Sequence, residues 1–158
     1  MGAVKRTPPG VFAYLMDEKG KVLCVRHAYN NREWSLPGGG KEEGECIQIA
    51  TRREVYEETG LSIEDEELVG IFELMKSEGY VVLVRAEVVT GHLLTDPDEE
   101  ILEREWFTRD EIEMREGEFY PAQFKLIKWA QLYKPDECPF ICPLTLPPIL
   151  QMIATGPS

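Results

Sequence analysis

Residues 39–61 read GGKEEGECIQIATRREVYEETGL, and this stretch decides the fold. It carries Glu54, Glu57 and Glu58, whose i, i+3 and i+4 spacing puts three carboxylates on one face of a helix. Two carboxylates about 5 Å apart repel by about 3 kcal/mol at an effective dielectric of about 20. Oxygen ligands without His or Cys suit a hard divalent cation, Mg²⁺ or Mn²⁺, better than zinc. The spacing predicts a metal site, with a solvated acidic helix face as the alternative.

Glycines stand on both sides of the expected helix. The run Leu36-Pro37-Gly38-Gly39-Gly40 precedes it, and such a run serves a tight turn or a close approach of the backbone to a ligand. Gly60 follows the helix and is a candidate for its C-cap. The helix is therefore expected over residues 45–59, directly after a glycine-rich loop.

The spacing of these residues resembles the Nudix box, G-x5-E-x7-R-E-U-x-E-E-x-G-U, where U is an aliphatic residue. Every fixed position is filled, by Gly39, Glu45, Arg53, Glu54, Val55, Glu57, Glu58, Gly60 and Leu61. The resemblance implies an α/β fold, the Nudix-type α/β/α sandwich with a mixed β-sheet between helices. It also implies Mg²⁺- or Mn²⁺-dependent hydrolysis of a nucleoside diphosphate linked to another group.

The resemblance also implies roles for individual residues. Glu54, Glu57 and Glu58 would hold the metal ion together with the backbone carbonyl of Gly38, and Glu54 is the first candidate for the general base. An acid in the loop at residues 96–100 is the alternative base. Within that loop, Glu100 is a candidate for a further metal ligand or is plain solvated surface.

The remaining box residues have supporting roles in this interpretation. Arg53 would orient the carboxylates and lower their pKa values, because an arginine pairs bidentately with a carboxylate. Glu45 is either the partner of Arg53 or a charge at the helix N-terminus. Gly39 is needed for backbone shape, and Gly60 for the end of the helix.

Substrate recognition is less clearly encoded. An aromatic face could stack on a base, a cation could meet phosphates, and an amide could read a purine edge. The candidates are Trp34, Tyr80, Arg26, Lys41 and Gln123. The alternative is core packing for the two aromatic residues and solvated surface for the two cations. Gln123 stands where MutT-type enzymes, to whose last-helix segment residues 119–123 are loosely similar, carry an amide or acid.

Composition limits the class of partner. The chain has 158 residues, 43% of them apolar, and a formal net charge of -12. Such an acidic surface argues against a nucleic acid polymer or an anionic membrane as partner, and favours a small anionic nucleotide whose charge a metal ion offsets. No secretory signal pattern and no apolar run of membrane-spanning length is present, so we expect a cytoplasmic protein. Cys138 and Cys142 are expected to be reduced thiols, with metal binding as the alternative.

The chain divides into three parts by composition. Residues 1–9 are expected to form a flexible N-terminal segment, residues 10–133 the Nudix domain, and residues 134–158 a proline-rich apolar C-terminal segment. That last segment could pack on the domain or on a second subunit, as in a homodimer.

The pattern also predicts the main elements of the domain. Residues 10–16 and 21–27 are predicted to form a β-hairpin around a turn at residues 17–20. Further strands are predicted at residues 68–74, 80–89 and 104–107. Thr108 and Glu111 form a capping-box pattern before a short helix, and a last helix is predicted at residues 121–133.

The compact domain lacks the additional motifs of several Nudix subfamilies. We therefore expect a MutT-like (deoxy)nucleoside triphosphate pyrophosphohydrolase that gives a nucleoside monophosphate and pyrophosphate. The alternatives are hydrolysis of ADP-ribose, a nucleotide sugar or a dinucleoside polyphosphate. A non-catalytic nucleotide sensor is the alternative of another class.

Overall fold

The computed structural model describes residues 9–73 and 79–134. Within these residues the chain forms seven strands, three α-helices and a 3₁₀ turn at Glu116–Glu118. The strands are β1 (Gly10–Leu15), β2 (Val22–His27), β3 (Trp34–Ser35), β4 (Gly38–Gly40), β5 (Leu61–Glu73), β6 (Tyr80–Gly91) and β7 (Ile101–Phe107). The helices are α1 (Ile47–Thr59), α2 (Arg109–Met114) and α3 (Pro121–Leu132).

The strands form two sheets. A four-stranded sheet has the order β4-β1-β6-β5, and a three-stranded sheet has the order β3-β2-β7. In the larger sheet β1 runs parallel to β6, whereas the β1–β4 and β5–β6 pairs are antiparallel. The sheet is therefore mixed, as the sequence predicted.

Strand β1 is covered on both faces, and this creates the layers of the domain. Ala13 and Leu15 pack in one cluster with Val55 of α1. Tyr14 points to the other face and packs in a cluster that includes Ile127 of α3. Because successive side chains of a strand alternate between its faces, one strand serves both layers. The result is the predicted α/β/α sandwich.

The predicted hairpin of the first two strands is wrong. The turn is present, because the Gly20 N–H donates to the Asp17 carbonyl over 3.0 Å. Beyond an isolated bridge between Met16 and Val22, however, β1 pairs with β4 and β6 while β2 pairs with β3 and β7. Each strand finds a longer partner elsewhere, so the turn connects two sheets instead of two neighbouring strands.

Strand β5 begins earlier than predicted. It starts at Leu61, directly after α1, and runs antiparallel to β6 through the acidic residues 64–67. The register of this pair shifts at three places, one of them between Glu64 and Glu67, and Asp65 has a positive φ of 54°. Bulges of this kind allow a polar stretch to continue a strand that its composition alone would interrupt.

The helix boundaries agree with the sequence pattern within two residues. Helix α1 begins after Cys46, whose Sγ accepts from the Ile49 N–H. Helix α2 has the predicted capping box, in which Thr108 and Glu111 each bond the other's backbone N–H. The prediction for residues 134–158, including the homodimer and the Cys138–Cys142 pair, lies outside the described residues except for Lys134. None of the helices in the described ranges has the length and apolarity needed to span a membrane.

Of two glycines with similar positive φ values, Gly60 is predicted to be the more sensitive to substitution by alanine. Gly20 and Gly60 have φ values of 77° and 80°, where an L-residue costs about 1–2 kcal/mol. A Cβ on Gly60 would also lie 2.8 Å from the His92 carbonyl oxygen, whereas a Cβ on Gly20 would meet no heavy atom within 4 Å. We expect Gly60→Ala to reduce the free energy of unfolding by ~1–3 kcal/mol more than Gly20→Ala, measured by urea denaturation. Equal losses in the two variants would contradict this contact.

Candidate active site

The glycine strand β4 lies directly against the acidic end of α1. A Cβ on Gly39 would stand 2.7 Å from the Glu54 carboxylate, and a Cβ on Gly38 would overlap the Val11 carbonyl oxygen. The Gly38 N–H donates to Glu58 Oε1 over 3.1 Å. The glycines are therefore required because the backbone passes where a side chain would stand.

Arg53 connects the carboxylates of the box. Its Nε and Nη2 donate to both oxygens of Glu45, over 2.8 and 2.9 Å. Its Nη1 donates to Glu54 Oε1 over 3.0 Å and to Glu57 Oε2 over 3.2 Å, and its Nη2 also reaches the Gly40 carbonyl oxygen at 3.0 Å. The hydrogen bond from Arg53 lowers the pKa of Glu45 below its ordinary value. One guanidinium thus fixes three carboxylates and the end of β4.

Two of the three carboxylates on α1 are held in environments that disfavour their charge. Burial raises the pKa of Glu54, although the neighbouring Arg53 opposes the shift. Burial raises the pKa of Glu58 further, and the charges of Glu54 and Glu100 add to this effect. The residue Glu58 is only 4% exposed, and its Oε2 has no hydrogen-bond partner within the described part of the chain. A buried, unpaired carboxylate oxygen is costly unless a cation or a proton satisfies it.

The donor types around Glu58 fit a hard divalent cation. Carboxylate oxygens and a backbone carbonyl are the ligands that Mg²⁺ prefers. Glu58 Oε2 is a carboxylate oxygen that accepts no hydrogen bond within the described residues. In the described residues, however, no three Asp, Glu, His or Cys side chains converge into a ready metal site. Arg53 Nη1 donates hydrogen bonds to both Glu54 and Glu57. The acids of α1 therefore fit the ion in type, while two of them are bonded to an arginine.

Glu100 belongs to the same electrostatic environment, although its side chain is exposed. Burial is the main cause of the raised pKa values of Glu54, Glu58 and Tyr29, and the charge of Glu100 adds to it. The Glu100 backbone carbonyl accepts from the Ala28 N–H over 2.8 Å, which fastens the start of β7 to the end of β2. The 96–100 loop thus supplies one acid on the side of the box carboxylates.

A cleft of about 920 Å³ begins at the β4 glycines. One group of its lining side chains is formed by His27, Tyr29 and Tyr120, with ring centroids 4.8 and 5.8 Å from that of His27. A second aromatic group comprises Phe72, Tyr80 and Trp129, and the Phe72 and Trp129 centroids are 5.7 Å apart. The cleft thus combines aromatic faces with the backbone that borders the acids.

Two polar side chains of the cleft have fixed hydrogen-bonding roles. Gln123 Oε1 accepts from the Leu36 N–H over 3.2 Å, so the group left to meet a ligand is the amide NH₂, a donor. The Ser35 hydroxyl donates to the Leu36 carbonyl, so it accepts from His27 Nε2 at 2.7 Å. Burial lowers the pKa of His27, and a neutral ring protonated on Nε2 leaves Nδ1 as an acceptor. Among the described residues Nδ1 has no partner.

Only some of the predicted substrate-binding residues line the cleft. Tyr80 and Gln123 line the cleft, whereas Arg26, Trp34 and Lys41 do not. The Trp34 ring is 4% exposed and packs edge-on against Phe107 in the core, because β3 turns it inward. Its prediction as a stacking residue is therefore wrong, and the core alternative holds.

The two predicted cations bind protein groups. Arg26 donates to Glu103 Oε2 over 2.8 Å and to the Arg32 carbonyl over 2.9 Å. Lys41 Nζ donates to the Glu42 carbonyl over 3.3 Å. Sequence reasoning missed Tyr29, Tyr120 and Arg104, and the only signals for the two tyrosines were their positions after β2 and before α3.

Comparison with known proteins agrees with this geometry. The family model described as NUDIX domain matches residues 6–130. A MutT-like protein of Streptomyces ambofaciens is 35% identical over 111 residues, which are 70% of each chain. The NAD-capped RNA hydrolase NudC of Mycobacterium tuberculosis is 34% identical over 115 residues, 68% of this chain but 34% of that protein. The structure of a Nudix hydrolase from Nitrosomonas europaea superimposes with a TM-score of 0.68 and 26% identity, over 80% of this chain and 89% of that one.

The site and fold define a hydrolase of phosphoric anhydride bonds, since Nudix proteins are pyrophosphohydrolases and these relatives are named hydrolases. The chain belongs to the Nudix family. Nudix hydrolases generally use divalent metal ions such as Mg²⁺, which agrees with the oxygen donors around Glu58. The chain spans only about a third of the length of the mycobacterial relative, and 70% of that of the Streptomyces protein.

The burial of Glu58 leads to a prediction about stability in the absence of metal. The folded-state pKa of the Glu58 carboxyl is raised above its ordinary value of 4.5. The protonated Glu58 carboxyl therefore contributes to the free energy of unfolding below pH 4.5, and this contribution is lost as pH rises through the folded-state pKa. We expect Glu58→Gln to raise the melting temperature at pH 7.5 in EDTA by a few degrees, at ~2–4 °C per kcal/mol. Scanning calorimetry at pH 5 and pH 7.5 measures this effect.

The control for this variant is Glu87→Gln, an exposed glutamate on β6. Its melting temperature is expected to stay within about one degree of that of the wild type, as is usual for surface changes. A Glu58→Gln protein that melts lower than the wild type at pH 7.5 would contradict the assignment of an uncompensated buried charge.

Proposed function

We propose that this protein is a Mg²⁺-dependent, MutT-like pyrophosphohydrolase of nucleoside triphosphates, which releases a nucleoside monophosphate and pyrophosphate. The observation that carries the proposal is the position of the β4 glycines, which border the acidic end of α1 on one side and a cleft of about 920 Å³ on the other. A nucleotide in this cleft would bring its phosphates to the acids. The 35% identity to a MutT-like protein, over 70% of both chains, supports the same reading.

The residues of α1 have distinct roles in this proposal. Glu54, Glu57, Glu58 and the Gly38 carbonyl would hold Mg²⁺, or Mn²⁺ in its place. When bound, the ion offsets the negative charge of the diphosphate and stabilises the leaving phosphate. Arg53 keeps Glu54 and Glu57 oriented through hydrogen bonds of 3.0 and 3.2 Å.

Glu54 is the proposed general base. Its raised pKa supports this role, because a more basic carboxylate takes a proton from water more readily. Water adds across the bond between the α and β phosphates, so one P–O bond forms as the bridging P–O bond breaks. The proton from water goes to Glu54 and is then lost to solvent.

The polar groups of the cleft support recognition of a nucleobase. Gln123 offers a donor, and its side chain is fixed by a hydrogen bond from the Leu36 N–H. A base edge that carries an acceptor would satisfy this donor. Tyr29 and Tyr120 supply aromatic faces beside the buried His27.

A second candidate function is hydrolysis of a substrate that carries two aromatic ring systems, such as an NAD-type molecule or a dinucleoside polyphosphate. The observation that favours it is the second aromatic group, Phe72, Tyr80 and Trp129, which adds a further stacking surface to the cleft. The similarity to NAD-capped RNA hydrolases is in line with this alternative.

The experiment that separates these functions is a substrate panel with product identification by mass spectrometry. The panel contains the eight nucleoside triphosphates, ADP-ribose, NADH, UDP-glucose and diadenosine polyphosphates, each with 5 mM Mg²⁺ and with EDTA. We expect the highest kcat/KM on a nucleoside triphosphate, with monophosphate and pyrophosphate as products. Preference for a two-ring substrate would favour the second candidate, and no turnover on any compound would favour a non-catalytic sensor.

Glu57 provides a test of the metal role that does not disturb the core, since its side chain is 56% exposed. We expect Glu57→Gln to lower kcat by at least ~100-fold, because a neutral amide is a much poorer ligand for Mg²⁺. Circular dichroism melting should be unchanged, and Glu87→Gln serves as the charge-matched control. Wild-type turnover in Glu57→Gln would refute the assigned role.

Gln123→Glu tests whether the amide NH₂ reads the base. The variant keeps an oxygen that can accept from the Leu36 N–H and replaces the donor with a second acceptor. We expect KM for the preferred nucleotide to rise ~10- to 100-fold with little change in kcat, in line with the loss of one hydrogen bond and an unpaired acceptor. Gln123→Met removes both functions and should additionally destabilise the fold. Unchanged KM values for Gln123→Glu across the panel would contradict base reading by this residue.

A further inference from the structure

Arg104 of β7 is a buried cation beside the box helix that the mechanism above does not use. Its side chain is only 1% exposed. Its Nε donates to the backbone carbonyl of Glu58, its Nη1 to the Asp96 carbonyl over 3.0 Å, and its Nη2 to Asp98 Oδ2 over 2.6 Å. A single guanidinium thus joins the last turn of α1 to the loop at residues 96–100.

The bond to Asp98 extends this connection to Glu100. Asp98 Oδ1 accepts from the backbone N–H groups of Glu100 and Ile101, over 2.8 and 2.7 Å. The Asp98 N–H in turn donates to the Ile101 carbonyl over 2.9 Å. With both oxygens of Asp98 engaged, the backbone that carries the Glu100 side chain is fixed relative to Arg104.

Arg104 also caps the end of α1. The Gly60 N–H donates to the Tyr56 carbonyl over 2.8 Å, and the Leu94 N–H donates to the Thr59 carbonyl over 2.9 Å. The Glu58 carbonyl, another of the last four carbonyls that a helix leaves without an intrahelical partner, accepts from Arg104. Glu58 is also the residue whose carboxylate accepts from the Gly38 N–H.

We infer that Arg104 is a positioning residue, which holds Glu58 on α1 and Glu100 on the 96–100 loop as two sides of one cation-binding site. This inference rests on the proposed metal-dependent function. Two carboxylates that are brought to one site repel each other. Arg104 and Asp98 fix the backbone that carries each of these acids when no cation is bound.

The test is Mn²⁺ binding to the full chain in the absence of nucleotide, measured from the free Mn²⁺ signal in electron paramagnetic resonance. Arg104→Lys keeps the charge and loses the planar fork that reaches three acceptors. We expect it to weaken Mn²⁺ binding ~10- to 100-fold, the usual range for a residue that orients metal ligands. Arg52→Lys is the matched control, because Arg52 also pairs bidentately with a carboxylate, Glu66, but on the outer side of α1. Its Mn²⁺ affinity is expected to equal that of the wild type.

A double-mutant cycle separates positioning from general destabilisation. In a Glu100→Gln background the effect of Arg104→Lys on Mn²⁺ binding should shrink to less than about threefold, since the acid that Arg104 positions is already lost. Asp98→Asn is the second variant if Arg104→Lys folds poorly, because the Asp98 side chain is 46% exposed. It should weaken Mn²⁺ binding in the same direction and also lose its effect in the Glu100→Gln background.

The outcomes distinguish this inference from the proposed function. If Arg104→Lys and Asp98→Asn lower the melting temperature but leave Mn²⁺ affinity within twofold of the wild type, the positioning role is wrong. The same holds if the full loss of affinity persists in the Glu100→Gln background. A wild-type protein that binds Mn²⁺ in an Arg104-dependent way but turns over no nucleotide would overturn the proposed function and leave the positioning role intact.

Discussion

The hydrogen bonds of Arg53 are the interaction on which the rest of the site depends. Helix α1 presents Glu54, Glu57 and Glu58 along a single face, and Glu45 stands just before the helix. Without a cation among them these carboxylates would repel one another strongly. Arg53 donates to Glu45 from Nε and Nη2, and to Glu54 and Glu57 from Nη1. Glu58 lies beyond its reach, and it is there that a buried oxygen is left without a partner.

The fold places the glycine backbone of β4 beside the acids of α1, where a side chain would not fit. Strand β1 is covered on both faces, which fixes α1 against the four-stranded sheet. Strand β4 pairs with β1 at the edge of that sheet, so its glycines pass within contact of Glu54 and Glu58. The same glycines border the cleft. The glycines of this one short strand therefore contact acids of α1 and also border the cleft.

Much of the fold could be predicted because its signals are local. The box helix, its glycine C-cap and the Thr108–Glu111 capping box depend on spacings of three to eight residues that a sequence displays directly. The assignment of β1 and β2 to different sheets could not be predicted, since a tight turn at Asp17–Gly20 looks the same whether it closes a hairpin or links two sheets. The early start of β5 was missed because its acidic residues 64–67 are stabilised by pairing with β6, which is distant in sequence.

The site residues also divide into those that a local sequence pattern identifies and those that it does not. The acids of α1 and Arg53 were identifiable because one helix carries them all. Trp34 was misassigned because residue type does not reveal which face of a two-residue strand is buried. Tyr29, Tyr120 and Arg104 come from three separate elements, and only tertiary contacts bring them to the cleft or to the end of α1. Residues whose role depends on contacts with residues distant in sequence cannot be identified from the spacing of residues in the sequence.

The most direct test of the central claim is an anomalous difference map from crystals of the full chain grown with Mn²⁺ and a non-hydrolysable nucleotide. We predict a Mn²⁺ peak bound by Glu58 Oε2, with Glu54, Glu57 or the Gly38 carbonyl among its other ligands, and the phosphates beside it. A peak elsewhere, with the acids of α1 still bonded only to Arg53 and the Gly38 backbone, would contradict it.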